Sequence, residues 1–374
     1  MGDSNKIYFP NLNVLRFIAA LMVIIHHTDF IKTWFNVSSN WNVPSISIIG
    51  KLGVILFFVL SGFLITYLLL AEEKVFQSIS IKSFYIRRIL RIWPLYFLII
   101  GTALFVIPYI DFFQLPGYGV NSLSNTSIFF ILLYVTFFPN FGLAFFGNTS
   151  YAAHTWSIGT EEQFYLIWPI LIRFVKRNRE LLMIGIIVIY QLIAFLLQSN
   201  VCNGISFKMQ LIVFWSSFNI DCMAIGGLFA LLLFKKSRFL TWILNKYLFY
   251  GILIIFILLI LNGISFRLFH YQIYAIIFGL IIINFAAGNH KISLENPVLH
   301  YLGKISYGLY MYHPVCIVFS LKLLYYFNIY NPWIMYFVSI AITILIAGFS
   351  YQFFEKYFIG IKSRFSKIVS SDRA

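Results

Sequence analysis

An all-α bundle of about ten transmembrane helices, with both termini cytoplasmic, is the fold this sequence predicts, on three observations. Of 374 residues, 61% are hydrophobic and only 10% charged, against about 25% charged in an ordinary soluble domain. The apolar residues fall in long runs. Leu52 to Ala71 is a twenty-residue stretch without a charge, about the length that crosses the hydrocarbon as a helix. The basic residues gather in short segments between the runs, as Lys and Arg do on the cytoplasmic side of a membrane. That bias accounts for the net charge of +15, so no nucleic-acid partner is expected.

The expected spans cover roughly 12–31, 50–71, 86–107, 158–173, 181–198, 212–234, 247–265, 271–288, 305–326 and 333–354. With the N-terminus inside, 22 of the 27 Lys and Arg residues fall on the cytoplasmic side. Clusters such as Arg87–Arg88, "RFVKRNR" (173–179) and Lys235–Lys236 lie there. Only Lys32, Lys51, Lys208, Arg267 and Lys322 fall outside. The same bias decides how the apolar stretch 128–146 is read. A crossing there would send 173–179 outward, so it is expected as a re-entrant or interfacial piece of a long outer loop, 108–157. Residues 1–374 form one domain, ending in a short basic cytoplasmic tail, 355–374. Cys202, Cys222 and Cys316 show neither metal-ligand spacing nor a disulfide framework, and no metal is expected. The start "MGDSNKIYFP" does not resemble a cleavable signal, so the first span directs insertion.

Three segments concentrate chemistry. In "LRFIAALMVIIHHTDF" (15–30), Arg16 and His27 are eleven residues apart, three helical turns plus about 20° and a rise of about 16 Å. They therefore share one face at opposite depths, while His26 points about 80° away. In "FYIRRILRIWPLY" (84–96), Arg88 and Arg91 are three apart and share a face, with Arg87 turned elsewhere. Paired guanidinium groups suit phosphates, although plain anchoring also places arginines here. In "HTWSIGTEEQFYLIWP" (154–169), His154, Trp156 and Ser157 precede adjacent glutamates at the outer start of a helix. Ser157 is a candidate cap, and first-turn acids suit the helix dipole. Glu161 and Glu162 point about 100° apart, so one is expected to face the bundle and orient His27, which lies at a similar depth. Weaker candidates are Ser61 in "FFVLSGFLIT", beside a glycine suited to close helix packing, and the intramembrane Asp221 and His313.

Taken in order, Arg16-x10-His27, "GVILFFVLSGFLI", Arg88-x-x-Arg91, "HTWSIGTEEQFYLIWP", "DCMAIGGLFA", "LGKISYGLYMYHP" and "YQFFEK" resemble the acyltransferase-3 family of integral-membrane O-acyltransferases. The resemblance runs along nearly the whole chain. It implies an enzyme of the bacterial cytoplasmic membrane that moves an acyl group, usually acetyl, from cytoplasmic acyl-CoA to a hydroxyl of a saccharide or lipid-linked acceptor. By the same resemblance His27 matches the essential histidine, Arg16 its paired arginine, Arg88 and Arg91 the R-x-x-R motif, and Glu161 the acid after Trp-Ser. Two positions depart from the pattern, Asn219 where an arginine is expected and Tyr357 where a proline is frequent. Some relatives also carry a C-terminal extracytoplasmic hydrolase-like domain, which is not expected here. The competing reading is a transporter or flippase for a lipid-linked sugar, with Asp221, His27 and His313 as a proton relay. A third is a structural partner in polysaccharide export, which predicts no CoA binding.

Overall fold

The computed structural model describes residues 6–115, 127–147, 151–267, 269–288, 290–365 and 368–370. Parts of the expected outer loop and tail, including 116–126, 148–150, Lys367 and Arg373, lie outside the described residues. Within them the chain is helical, apart from a two-residue parallel pairing of β1 (Lys6–Ile7) with β2 (Val369–Ser370). That pairing brings residues 6–7 and 369–370 together.

A helix occupies each expected span. They are α1 (Leu12–Trp34), α2 (Pro44–Phe76), α3 (Ile81–Phe105), α6 (Trp156–Phe174), α7 (Arg179–Gln198), the pair α8 (Lys208–Ser217) and α9 (Ile220–Lys235), α11 (Lys246–Leu261), α12 (His270–Ala287), α14 (Ser306–Tyr326) and α15 (Pro332–Ser350). Among the described residues, seven helical segments are long and apolar enough to cross a membrane. Among the others, α6 carries two adjacent glutamates and α11 has 16 residues. On α7 the residues Leu181, Ile184, Val188, Leu192 and Phe195 form an exposed apolar stripe at helical spacing, a face suited to lipid tails. Short helices fill the connections: α4 (Ile128–Val135), α5 (Pro139–Phe146), α10 (Arg238–Ile243), α13 (Pro297–Lys304) and α16 (Lys356–Ser363).

The stretch 128–146 is a hairpin of two eight-residue helices, α4 and α5, folded back at Phe137 in a left-handed conformation. At about 1.5 Å per residue neither half reaches across a bilayer. The expected span 212–234 falls within the apolar helical segment Lys208–Lys235, which is interrupted at Phe218 and Asn219, between α8 and α9. The break is tolerated because side chains take up the carbonyls it frees. Ser216 accepts from Lys51 Nζ (2.9 Å) and Asn219 Nδ2 (2.7 Å), and Ser217 accepts from Thr160 (3.3 Å).

The core is centred on α2, whose closest neighbours are α1 and α9. α2 and α9 meet through reciprocal glycines. A Cβ on Gly62 would run into the Met223 carbonyl, and one on Gly226 into the Val59 carbonyl. Small residues at such a crossing bring two backbones together without a side-chain layer between them. This rigid contact fixes Ser61, one residue from Gly62, against the interior.

Candidate functional site

A cavity of about 280 Å³ opens between α1, α2, α3, α6, α14 and α16. Each of the expected arginines reaches it. Arg16, in the second turn of α1, lines the wall and donates to Asn13 Oδ1 (2.7 Å). Arg88 and Arg91, one turn apart on α3, line it as well. The Arg88 guanidinium lies 5.7 Å from the Phe84 and Tyr165 rings, and Arg91 donates to the Lys304 carbonyl (3.3 Å). Arg87 turns away to Glu72 (3.4 Å) and the Phe365 carbonyl (2.9 Å), as the helix geometry requires.

Two lining lysines, Lys304 and Lys362, were not legible as site residues. They bring the lining to five basic side chains and one carboxylate, Glu161. Glu161 is bound on both oxygens, accepting from Ser61 Oγ (3.2 Å) and from the Tyr165 hydroxyl (2.7 Å). Ser61 is therefore a cavity residue as well as a neighbour of the helix crossing. Tyr165, missed at the sequence level, lies four residues after Glu161, a spacing that puts the two on one face. Glu162 points to α3 and accepts from Trp93 Nε1 (2.9 Å).

Two expectations about this segment are corrected. Ser157 does not cap α6, because the helix begins one residue earlier. Its hydroxyl instead pairs with that of Tyr310 (2.7 Å). The glutamates also lie beyond the first turn of α6, so the helix dipole is not what holds them.

His27 belongs to a second cluster. Its ring centroid lies 4.8 Å from that of His313, which in turn lies 5.1 Å from His154. The expected pairing of Glu161 with His27 is not formed, since each has other partners. His27 Nδ1 faces the Val23 carbonyl (3.0 Å), and Glu161 is held by Ser61 and Tyr165. His26 takes the opposite direction, towards the Ile46 carbonyl (2.9 Å) and the face of Gly50, with Trp41 4.9 Å away. It packs the α1–α2 contact.

The hydrogen bonds fix how the three imidazoles are protonated. A carbonyl only accepts, so the nitrogen facing it carries the proton. His27 Nδ1 faces Val23, His313 Nδ1 faces the Tyr310 carbonyl (2.5 Å), and His154 Nε2 faces the Met311 carbonyl (3.2 Å). The remaining nitrogens are acceptors. His313 Nε2 and His154 Nδ1 are buried without a donor. Burial pushes the His154 imidazole, in the turn before α6, down to about 4, which keeps it neutral. The cluster thus presents acceptor lone pairs. Tyr310 joins the two parts of the site. It lines the cavity, its hydroxyl donates to the His154 carbonyl (2.8 Å), and its ring lies 5.6 Å from those of His154 and His313.

Two candidates lie elsewhere. Asp221 is fully buried among α7, α9 and α12, accepting from Gln191 (2.9 Å) and Gln272 (2.6 Å). It does not line the cavity. Trp156 carries Lys51 Nζ 4.1 Å over its ring and packs on Phe58, beside the cavity rather than in its lining.

Residues 9–351 match the acyltransferase-3 family, described as an acyltransferase domain. A protein of Staphylococcus aureus strain COL, whose name offers O-acetyltransferase as a candidate activity, is 30% identical over 94% of this chain and 57% of its own length. The peptidoglycan O-acetyltransferase OatA of Listeria monocytogenes is 34% identical over 48% of this chain and 27% of its own length. The chain thus spans little more than half the length of the curated relatives it matches. No solved structure matches.

Proposed function

This chain belongs to the acyltransferase-3 family, and on that premise we propose that it is a membrane O-acyltransferase moving an acyl group, acetyl in the first instance, from acyl-CoA to a saccharide hydroxyl. The observation that carries the reading is the juxtaposition of a cation-lined cavity with an imidazole cluster short of hydrogen-bond donors, bridged by Tyr310. The cavity suits the phosphates of a CoA thioester, because guanidinium groups bind phosphate in a fork geometry. The cluster suits a hydroxyl-bearing acceptor.

In this reading Arg16, Arg88 and Arg91 hold the donor from the cytoplasmic side and His27 works from the outer side. The Nδ1 proton of His27 is committed to Val23, so Nε2 is its basic atom. His27 Nε2 takes the proton of the acceptor hydroxyl as that oxygen attacks the thioester carbonyl carbon. The C–S bond breaks and the imidazolium returns its proton to the departing thiolate. The products are an ester and free CoA thiol, with atoms and charge balanced. His313 and His154 accept from other hydroxyls of the acceptor and so position it. A general base of this kind contributes about 10²–10⁴-fold.

Acceptor nitrogens at the cluster support a hydroxyl-rich acceptor, and a surface glycan is one. The peptidoglycan named for the Listeria relative is the first to try. Purified protein in nanodiscs is given acetyl-CoA with and without a glycan acceptor, and free thiol is followed. Acceptor-dependent thiol release is expected. Transport of the glycan with no thiol release would overturn the proposal in favour of the transporter reading.

A further inference from the structure

The cationic wall of the cavity is completed by a segment that the family match does not reach. The match ends at residue 351, where a π-helical turn, Tyr351–Glu355, leads into α16. Ile359 and Lys362 of α16 both line the cavity. Three features hold this segment in place. α16 packs along α3, the helix that carries Arg88 and Arg91. Arg87 donates to the Phe365 carbonyl (2.9 Å). Beyond it Ile368 is buried and β2 pairs with β1. The described residues after α15 are therefore strapped against the bundle, and tertiary contacts carry Lys362 to the cavity.

The charge pattern says what the strap is for. Arg16, Arg88 and Arg91 line the same cavity as Lys362, and Arg87, on the next face of α3, holds the segment that carries it. Gathering like charges around one confined space opposes folding, and it is retained where an anionic ligand offsets it. We infer that Lys362 is a donor-binding residue: together with Arg88 and Arg91 it receives phosphate groups of acyl-CoA, and α16 forms the wall that seats them. This rests on the acyltransferase reading. The diphosphate of a lipid-linked acceptor offers the same chemistry, so the test separates the two sources.

The full chain is purified as wild type, Lys362→Ala and Lys362→Arg, each checked by thermal unfolding. Binding of CoA, 3′-dephospho-CoA and pantetheine is measured by calorimetry, and retention on vesicles of phosphatidylglycerol is measured separately. Loss of one charge-assisted contact to phosphate predicts CoA affinity about tenfold weaker in Lys362→Ala. In Lys362→Arg it stays within about threefold, and pantetheine binds all three proteins alike. In turnover the KM for acetyl-CoA rises while kcat holds. Equal CoA affinity in wild type and Lys362→Ala overturns the inference. So does an equal loss for pantetheine, which would make Lys362 a packing residue. Altered vesicle retention with unaltered CoA binding overturns it in favour of a lipid phosphate. Wild type that binds no CoA removes the acyltransferase reading itself, a separate and recognisable result.

Discussion

Glu161→Gln separates two accounts of the same carboxylate. Had Glu161 oriented His27, its loss would slow turnover and leave donor affinity alone. The structure instead makes it the one acid facing five basic side chains in the cavity lining, so the amide should tighten anion binding. A space of 280 Å³, taken as a sphere, is about 8 Å across. At an effective dielectric of about 20, a unit charge at about 8 Å from a phosphate costs about 2 kcal/mol. Removing it strengthens CoA binding by roughly 30-fold at low salt, less as salt screens it. The apo protein pays in the other direction. Ser61 and Tyr165 each lose a bond to a charged acceptor, about 1 kcal/mol apiece when an amide takes its place. Calorimetry with CoA and thermal unfolding without it read the two effects separately. Weaker CoA binding, or a large loss of kcat at unchanged CoA affinity, would refute the electrostatic reasoning and restore Glu161 as a partner of His27.

Gly62→Val forces a side chain onto the Met223 carbonyl of α9, where backbone must move. Overpacking of about 1–3 kcal/mol or more is expected, seen as a lower Tm or a loss of folded yield, whereas Gly185→Ala, open on α7, leaves the Tm within about a degree or raises it. Asp221→Asn disturbs the bonds from Gln191 and Gln272 and should lower the Tm. Activity per folded molecule should stay within about threefold, because Asp221 is no part of the cavity; a selective loss of turnover would revive the proton-relay role. Tyr310→Phe removes the hydroxyl that joins Ser157 to the His154 carbonyl. One buried hydrogen-bonded hydroxyl is worth about 1–2 kcal/mol, and kcat is expected to fall about tenfold with CoA affinity unchanged, as read by calorimetry beside initial rates.

The sequence carried the elements better than their meetings. Helix positions were legible because apolar runs and basic clusters alternate, and Arg88 and Arg91 were legible as a pair because helix geometry puts them on one face, whereas Arg16 joined them only through the family resemblance. Helical period also separated His26 from His27, and the structure sends them to α2 and to His313 respectively. What a residue meets across the bundle has no such local signature. His313 stands 286 residues from His27, and nothing in either segment specifies their 4.8 Å approach. Glu161 was assigned the wrong neighbour for the same reason, because similar depth was the only available guide and depth does not fix azimuth. Two further helical spacings, Glu161 to Tyr165 and Tyr310 to His313, are local and both contribute to the site. Lys362 could not be found locally at all. A basic residue in a basic tail looks like an anchor until the strap returns it to the cavity.

The central claim is that His27 performs the proton transfer, with the donor held independently of it. Acetyl-CoA turnover and CoA affinity are therefore measured together for His27→Ala and His26→Ala in nanodiscs with a glycan acceptor. The account predicts that His27→Ala loses about 10²-fold or more of its turnover while binding CoA as the wild type does, and that His26→Ala keeps turnover per folded molecule. Equal activity of both variants and the wild type, or a loss of turnover in His26→Ala alone, would contradict it.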